Sequence, residues 1–417
     1  MPYSIISIII VAFTFFSIWL FWDEGLDNFR LHGIAPFLYN SGFFILLCLT
    51  LFYSEDYGQG LKTLQASISI LILPIVLIYF QPKYLERERN LIYIVFVGAN
   101  FLYVLLLINY MFDNVTEFCY PELSELSIFQ KYYYAKDVSF DFLLWCSENV
   151  NKTYLFVHKA YISLSFLFAS ILIIHMLSKG KNPNYGKILL IIALITFLFF
   201  VVYVYSIMNI FLMAVLLPLF VFFNLKKRKF LKMFISSYIM LCCIFIWNIG
   251  LKGTTGSKIK AFQAQIELLK KEKQNDGILE RGLLNECNAA LVKNNWVFGI
   301  GIGDVQTKLG ECYVEKKEEN DYFQKAFFNK MNSHNYYYLL LQSGGLFLLI
   351  SFLIFAFYNI KLSIKHKHYT YLFFLILIMS NLFTENMLSR MYGVVFFSLF
   401  NNLFFAEIIE KRNINGG

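Results

Sequence analysis

The sequence predicts an all-α polytopic membrane protein, a bundle of about 11–12 transmembrane helices with one long helical loop on its outer side. Composition is the first reason. Hydrophobic residues make up 58% of the 417, charged residues 15%, and mean hydropathy is +0.57, too few polar side chains to cover a water-soluble surface. Apolar runs long enough to cross a bilayer recur along the whole chain. One stretch alone, 251–333, is both long and polar. Residues 1–417 therefore read as a single membrane domain, with 251–333 as the long outer loop and 113–153 as a second one.

Taken in order, the predicted spans are 3–22, 34–53, 63–80, 91–112, 154–177, 187–205, 207–224, 230–250, 335–358, 369–384 and 391–409. A twelfth would lie near 23–33. The run 187–224 is continuous and apolar, and its length requires two spans joined by a tight turn near Tyr205-Ser206. The first run, Ser4 to Trp22, has no Lys or Arg before it and is too long for a signal-peptide core, so it reads as a retained helix.

Lys and Arg set the orientation. One set of short connections carries Arg30; Lys83, Arg87 and Arg89; Lys179, Lys181 and Lys187; Lys226 to Lys229 with Lys232; Lys361, Lys365 and Lys367; and Lys411 with Arg412. The opposite connections carry only Lys62, Lys131, Lys136, Lys152 and Arg390. The first set is cytoplasmic on this rule, and the long loop faces outward. The net charge of +8 is then a topology signal. No basic, aromatic-interleaved module is present for nucleic acid, and membrane lipid is the surrounding partner.

Cysteines divide along the same lines. Cys48, Cys242 and Cys243 fall in spans, where a thiol is usually a small apolar residue. Cys119 and Cys146 share one outer loop, Cys287 and Cys312 the other. Two disulfides, Cys119–Cys146 and Cys287–Cys312, are permitted in an oxidising compartment, and four free thiols are equally open. Within the long loop, Lys258 to Lys273 carries an apolar stripe of Ile259, Phe262, Ile266 and Leu269, a surface-lying helix. A second helix follows over roughly Leu279 to Lys293, then the glycine run Gly299-Ile300-Gly301-Ile302-Gly303, then a short helix from Asp304 to Glu311.

Several residues in this outer region carry chemistry. His334 stands where the loop meets a span, and an imidazole titrating near neutrality can take a proton from a hydroxyl; a histidine at an interface with no role is the alternative. Arg281 offers the fixed donors that suit phosphate, or is a solvated helix residue. Arg390, just before the last span, reaches the same face; it could also snorkel or pair with Glu385. Lys152, His158 and Lys159 would add positive potential at the mouth of the fifth span. The backbone at Gly301 and Gly303 can approach a ligand closely and present amides to phosphate, or make a plain loop-to-helix turn. The run is no P-loop, since no Gly-Lys-Ser/Thr follows it. No metal-ligand spacing and no Gly-x-Ser-x-Gly elbow occur. Together these features suit an anionic, lipid-linked substrate: cations for a diphosphate, a groove for its tail and a base for an acceptor hydroxyl.

Arg281, then Asn294-Asn295-Trp296-Val297-Phe298-Gly299-Ile300-Gly301-Ile302-Gly303-Asp304-Val305, then Asn332-Ser333-His334-Asn335-Tyr336-Tyr337 and Gly345 resemble the O-antigen ligase/polymerase superfamily. Ser54-Glu55-Asp56, the basic loop Lys226–Lys229 and Thr384-Glu385-Asn386 fall in the expected order. The motif-bearing match spans roughly 275–395. The resemblance implies a GT-C-like membrane glycosyltransferase in the bacterial inner membrane, with its site on the periplasmic face. It would move a glycan from an undecaprenyl-diphosphate-linked polysaccharide donor to a lipid A-core sugar hydroxyl, with no cofactor, nucleotide sugar or required metal. Arg281 would bind the diphosphate and His334 would activate the acceptor. Asn335 belongs to the same motif and, with Gly301, Gly303, Arg390 and Lys159, is assigned to substrate binding. The chain departs from the pattern at Trp296 (usually proline), at Gln342-Ser343 (often acidic) and at Leu348 (glycine). It also lacks a Ser-Arg pair around Ser206-Ile207-Met208-Asn209, leaving Lys152 or Lys159 to supply that charge. A polymerase or a protein O-oligosaccharyltransferase would share the same chemistry and differ in acceptor. A flippase for the same lipid-linked sugar would instead place its functional charges near the bilayer midplane.

Overall fold

The computed structural model describes residues 3–80, 86–119, 158–179, 184–204, 206–224, 277–318 and 321–415. The segment 230–250, the stripe Lys258–Lys273 and the pairing of Cys119 with Cys146 lie outside them. Every described element is helical: α1 Tyr3–Leu20, α2 Trp22–His32, α3 Ala35–Leu49, α4 Tyr57–Ser67, α5 Ser69–Ile78, α6 Glu86–Cys119, α7 Lys159–Ser178, α8 Asn184–Tyr203, α9 Ile207–Asn224, α10 Gly277–Asn295, α11 Val305–Glu315, α12 Asp321–Phe328, α13 Tyr336–Lys365, α14 Tyr369–Asn381 and α15 Met391–Asn415. Among the described residues eight helical segments are long and apolar enough to cross a membrane. The chain is an all-α, multi-pass membrane protein. It groups into two compact units, 1–85 with 273–417, and 86–272.

Three predicted elements take a different form. Residues 113–119, expected in a loop, extend α6. The first apolar run does not continue straight: after Leu20 the chain bends by 85° into α2. The third departure shapes the site. The predicted span 335–358 belongs to a helix whose backbone is broken at Gly345 (φ 63°, ψ −156°). Sixteen residues of straight helix would put Tyr336 about 24 Å from Phe352, yet their ring centroids are 5.6 Å apart. Tyr337 meets the same ring at 6.0 Å. The first limb, Tyr336–Gly344, therefore folds back along the second, Leu346–Lys365. Its N-terminus is recessed about 10 Å below the Gly345 apex, seven residues of helix rise.

In the second unit α7 is the enclosed helix, packed against α6, α8 and α9, with Phe166 stacked on Phe197 at 5.4 Å. In the first unit α3 runs beside the second limb of α13. Tyr39 stacks on Tyr358 at 4.0 Å, and Phe43 packs on Phe352 and Phe355. The lipid-sized apolar exposure of α13 begins at Leu346 and Phe347 and ends at Ile364, about 27 Å of helix and close to the hydrocarbon thickness. By contrast α14 has 13 residues, a rise of about 20 Å, so its far end stops short of that thickness. There Leu382 accepts a hydrogen bond from the Tyr336 amide (2.9 Å), joining the recessed limb to α14.

A broken helix frees backbone groups that hydrocarbon cannot satisfy. Here the 296–304 connection satisfies them. Leu346 N donates to Trp296 O (2.8 Å), while Ile300 N and Gly301 N donate to Gln342 O (2.7 Å) and Ser343 O (3.0 Å). Tyr53 OH donates to Phe298 O (2.6 Å) and Ser343 O (3.0 Å). Helix α10 is held to α11 by a disulfide between Cys287 and Cys312 and by the ion pair of Lys316 with Glu286 (2.9 Å).

Gly345→Ala is expected to remove the hairpin. Its φ/ψ lies in a region only glycine occupies, a penalty of about 1–3 kcal/mol, and a Cβ would run into the Val297 carbonyl. Loss of monodisperse protein on size-exclusion chromatography checks this. The disulfide closes a 25-residue separation, worth about 3–4 kcal/mol on the chain-entropy account. Alkylation with a mass label without reductant should leave Cys287 and Cys312 unmodified, and Cys312→Ser should lower the thermal midpoint.

Candidate functional site

The site grows from the turn 332–335 at the recessed start of α13. Asn335 caps that helix, its side-chain oxygen accepting from Tyr337 N (2.9 Å) and Tyr338 N (3.3 Å). A cap holds only one residue, so the chain must turn sharply before it. His334 takes this turn with φ 46°, a left-handed conformation that a side-chain-bearing residue adopts under constraint. The constraint is visible. His334 N donates to Asn332 Oδ1 (2.9 Å). Ser333 Oγ donates to Asn335 O (3.0 Å) and accepts from Asn386 Nδ2 (2.8 Å). Ser333 O accepts from Asn288 Nδ2 (3.1 Å).

His334 Nδ1 lies 3.4 Å from Glu385 Oε2. The histidine side chain is 31% exposed and the glutamate 9%, so the carboxylate is enclosed and the imidazole is open. The contact is an ion-pair approach, charged on the imidazole side only when the ring is protonated. An imidazole oriented by a buried carboxylate is equipped to accept a proton and to carry the resulting charge.

Arg281 lies in the second turn of α10; its side chain lies outside the described ones. The helix itself is anchored where it matters. Asn288, fully buried, bonds the Ser333 carbonyl and accepts from Gln342 Nε2 (2.9 Å). Position 281 is seven residues earlier, two turns on the same helix face and about 10 Å along the axis. Asn335, assigned to substrate binding, has its side-chain oxygen committed to the cap.

Gly301 and Gly303 sit in a turn that is bonded on every side. Besides the two bonds to α13, Ile302 N donates to Thr50 Oγ1 (3.2 Å) and Gly303 N to Ser54 Oγ (3.1 Å). The Asp304 carboxylate accepts from Glu55 N (2.9 Å) and Asp56 N (2.8 Å). A Cβ at Gly301, whose φ is 91°, would strike Ser54 Oγ. The close backbone approach read from the sequence is thus an approach to α13 and to the 50–56 connection, and these amides are committed to the protein. Below this turn lies a cleft of ≈ 470 Å³ lined by Glu55, Asp56, Asp304, Thr307, Lys308 and Glu311. Glu311 raises the Lys308 ammonium above its ordinary value, but the lining is mainly acidic and opposes a diphosphate.

Arg390 is exposed, directly after the 3-10 turn Met387–Ser389, and shares the 382–390 connection with Glu385. Among the described residues its guanidinium makes no ion pair. The pairing considered for it from sequence belongs to His334 instead. Lys159 is the exposed first residue of α7, in the other unit. Sequence reasoning missed Asn288, Gln342 and Asn386 as site residues; buried carboxamides carry no periodic signal. Glu385 stood in a recognised tripeptide, but its partner was not legible.

No curated protein matches the chain. The sequence model of a family described as O-antigen ligase matches residues 192–353, a segment that includes α10, the glycine turn, His334 and the Gly345 break. Lys159, Glu385 and Arg390 lie outside it. Residues 192–353 are thus similar to that family, which supports glycan transfer of the ligase or polymerase type in general.

Proposed function

We propose that the protein is a GT-C-like glycosyltransferase of the ligase kind in the bacterial inner membrane, working on the periplasmic face. It transfers a polysaccharide from an undecaprenyl-diphosphate carrier to a sugar hydroxyl of lipid A-core. The observation that carries this reading is the His334–Glu385 pair in a turn bonded to the helix that bears Arg281. The excess of Lys and Arg on the opposite connections supports the outward side, and so does a disulfide in this region.

In the reaction the acceptor hydroxyl oxygen attacks the anomeric carbon of the glycan. The bond from that carbon to the diphosphate oxygen breaks, and its electron pair leaves with undecaprenyl diphosphate. The hydroxyl proton passes to His334 Nε2, and the Glu385 carboxylate stabilises the imidazolium. Arg281, with Arg390, offsets the charge on the departing diphosphate, where a guanidinium's fixed donors act on phosphate oxygens. Lys159 remains assigned to the substrate. The recess under the Gly345 apex suits a head group drawn in from the bilayer while its isoprenoid tail stays among the spans. Neither nucleotide sugar nor metal is required by this chemistry.

His334→Ala and Arg281→Ala are each expected to abolish transfer by purified protein supplied with undecaprenyl-diphosphate glycan and lipid A-core, while leaving the protein folded. Chelator should leave the wild-type rate unchanged. Glu385→Gln keeps the size of the side chain and removes its charge, and should slow transfer by about 10²-fold. Near wild-type rates for His334→Ala would end the base assignment; unchanged donor affinity in Arg281→Ala would end the diphosphate role. Offering a glycan or a protein as acceptor in the same assay separates ligase from polymerase and from protein glycosylation.

A further inference from the structure

Ser333 is gripped at both of its polar ends, and the two grips come from different elements. Asn386, in the 382–390 connection, holds the hydroxyl (2.8 Å). Asn288, in α10, holds the carbonyl (3.1 Å). The next residue is His334, in a left-handed backbone conformation. The Asn288 carboxamide is itself oriented from its far side, since its oxygen accepts from Gln342 Nε2 (2.9 Å) in the recessed limb of α13. Asn288 is fully buried, and it is the group among these through which α10 touches the turn.

We propose that Asn288 is a positioning residue for the transfer reaction. It fixes the peptide before His334, so that the imidazole stays against Glu385 with Nε2 toward the acceptor, in register with the helix carrying Arg281. This rests on the reading of His334 as the base. Asn288 touches no reacting atom. Its effect runs through one carbonyl and the strained residue after it, so its loss falls on the step that needs the base. Donor binding is spared, because the disulfide Cys287–Cys312 and the pair Glu286–Lys316 keep α10 attached without it.

The test is Asn288→Asp, which keeps the size of the side chain and replaces the amide donor with a carboxylate oxygen facing the Ser333 carbonyl. Purified protein is assayed with the lipid-linked glycan and lipid A-core. Carbethoxylation of His334 is followed in parallel by mass spectrometry. Expected are a fall in kcat of at least tenfold, a donor KM within about twofold of wild type, and a changed His334 modification rate. Lys293→Gln, exposed on α10, should leave all these quantities unchanged. A kcat within twofold of wild type or an unaltered modification rate overturns the proposal. Should Asn288→Asp not extract as folded protein, Gln342→Met removes the donor that orients Asn288 and is read by the same measurements. Failure of the base reading looks different: His334→Ala itself would then retain transfer, whereas a fault in this inference alone leaves His334→Ala inactive and Asn288→Asp active.

Discussion

The break in α13 at Gly345 is the constraint on which the rest of the site depends. A transmembrane helix normally satisfies every one of its own backbone groups, and a break inside hydrocarbon leaves several without partners, each costing several kcal/mol. The protein covers the break with the 296–304 connection, whose amides and carbonyls replace the missing helical bonds. That replacement needs backbone in contact with backbone, which explains the glycines on both sides: Gly345 at the apex, and Gly299 and Gly301 in the covering turn, all with positive φ. Once the helix doubles back, its N-terminal turn lies beside the short α14 and not at the outer end of the bundle.

From that geometry comes a cluster of buried polar side chains around the His334 turn. Tyr336 N reaches Leu382 O, and the following residues supply Glu385 to His334 and Asn386 to Ser333. Each hydrogen bond around Ser333 and His334 is worth on the order of 1 kcal/mol net, and a left-handed backbone at a non-glycine residue costs about 1–2 kcal/mol. Three or four such bonds therefore suffice to hold the conformation, while the loss of any one removes a comparable share. The His334 turn is thus fixed by its neighbours and not by its own preference.

Much of the architecture was readable from hydropathy and charge, because spans differ from loops by composition. The all-α membrane class, the helix after residue 277 and the short helix after Asp304 follow from such patterns. The hairpin in α13 was not readable in the same way: Tyr336–Lys365 is apolar on both sides of Gly345, and a hydropathy window cannot distinguish one long span from a limb folded back. The glycine run shows a subtler limit. Its permissive backbone was correctly read as allowing close approach, but sequence does not say to what. Ser54, Gln342 and Ser343 occupy the space that a ligand would need. Glu385 and Asn288 illustrate the last limit, for a side chain that reaches across 51 or 45 residues to its partner leaves no local pattern.

The electrostatics of the acidic cleft and of the His334 turn argue in the same direction. The cleft beside α11 carries Glu55, Asp56, Asp304 and Glu311 against Lys308 alone, and Asp304 spends its charge on two backbone amides. A diphosphate approaching there would meet like charge. At the His334 turn the one enclosed acid faces an imidazole, and the exposed Arg390 follows in the same connection. In a low-dielectric recess such effects are larger than in water, so an anion is disfavoured at the acidic cleft. On the proposed reading, Glu385 orients the imidazole before the proton moves and offsets its charge afterwards.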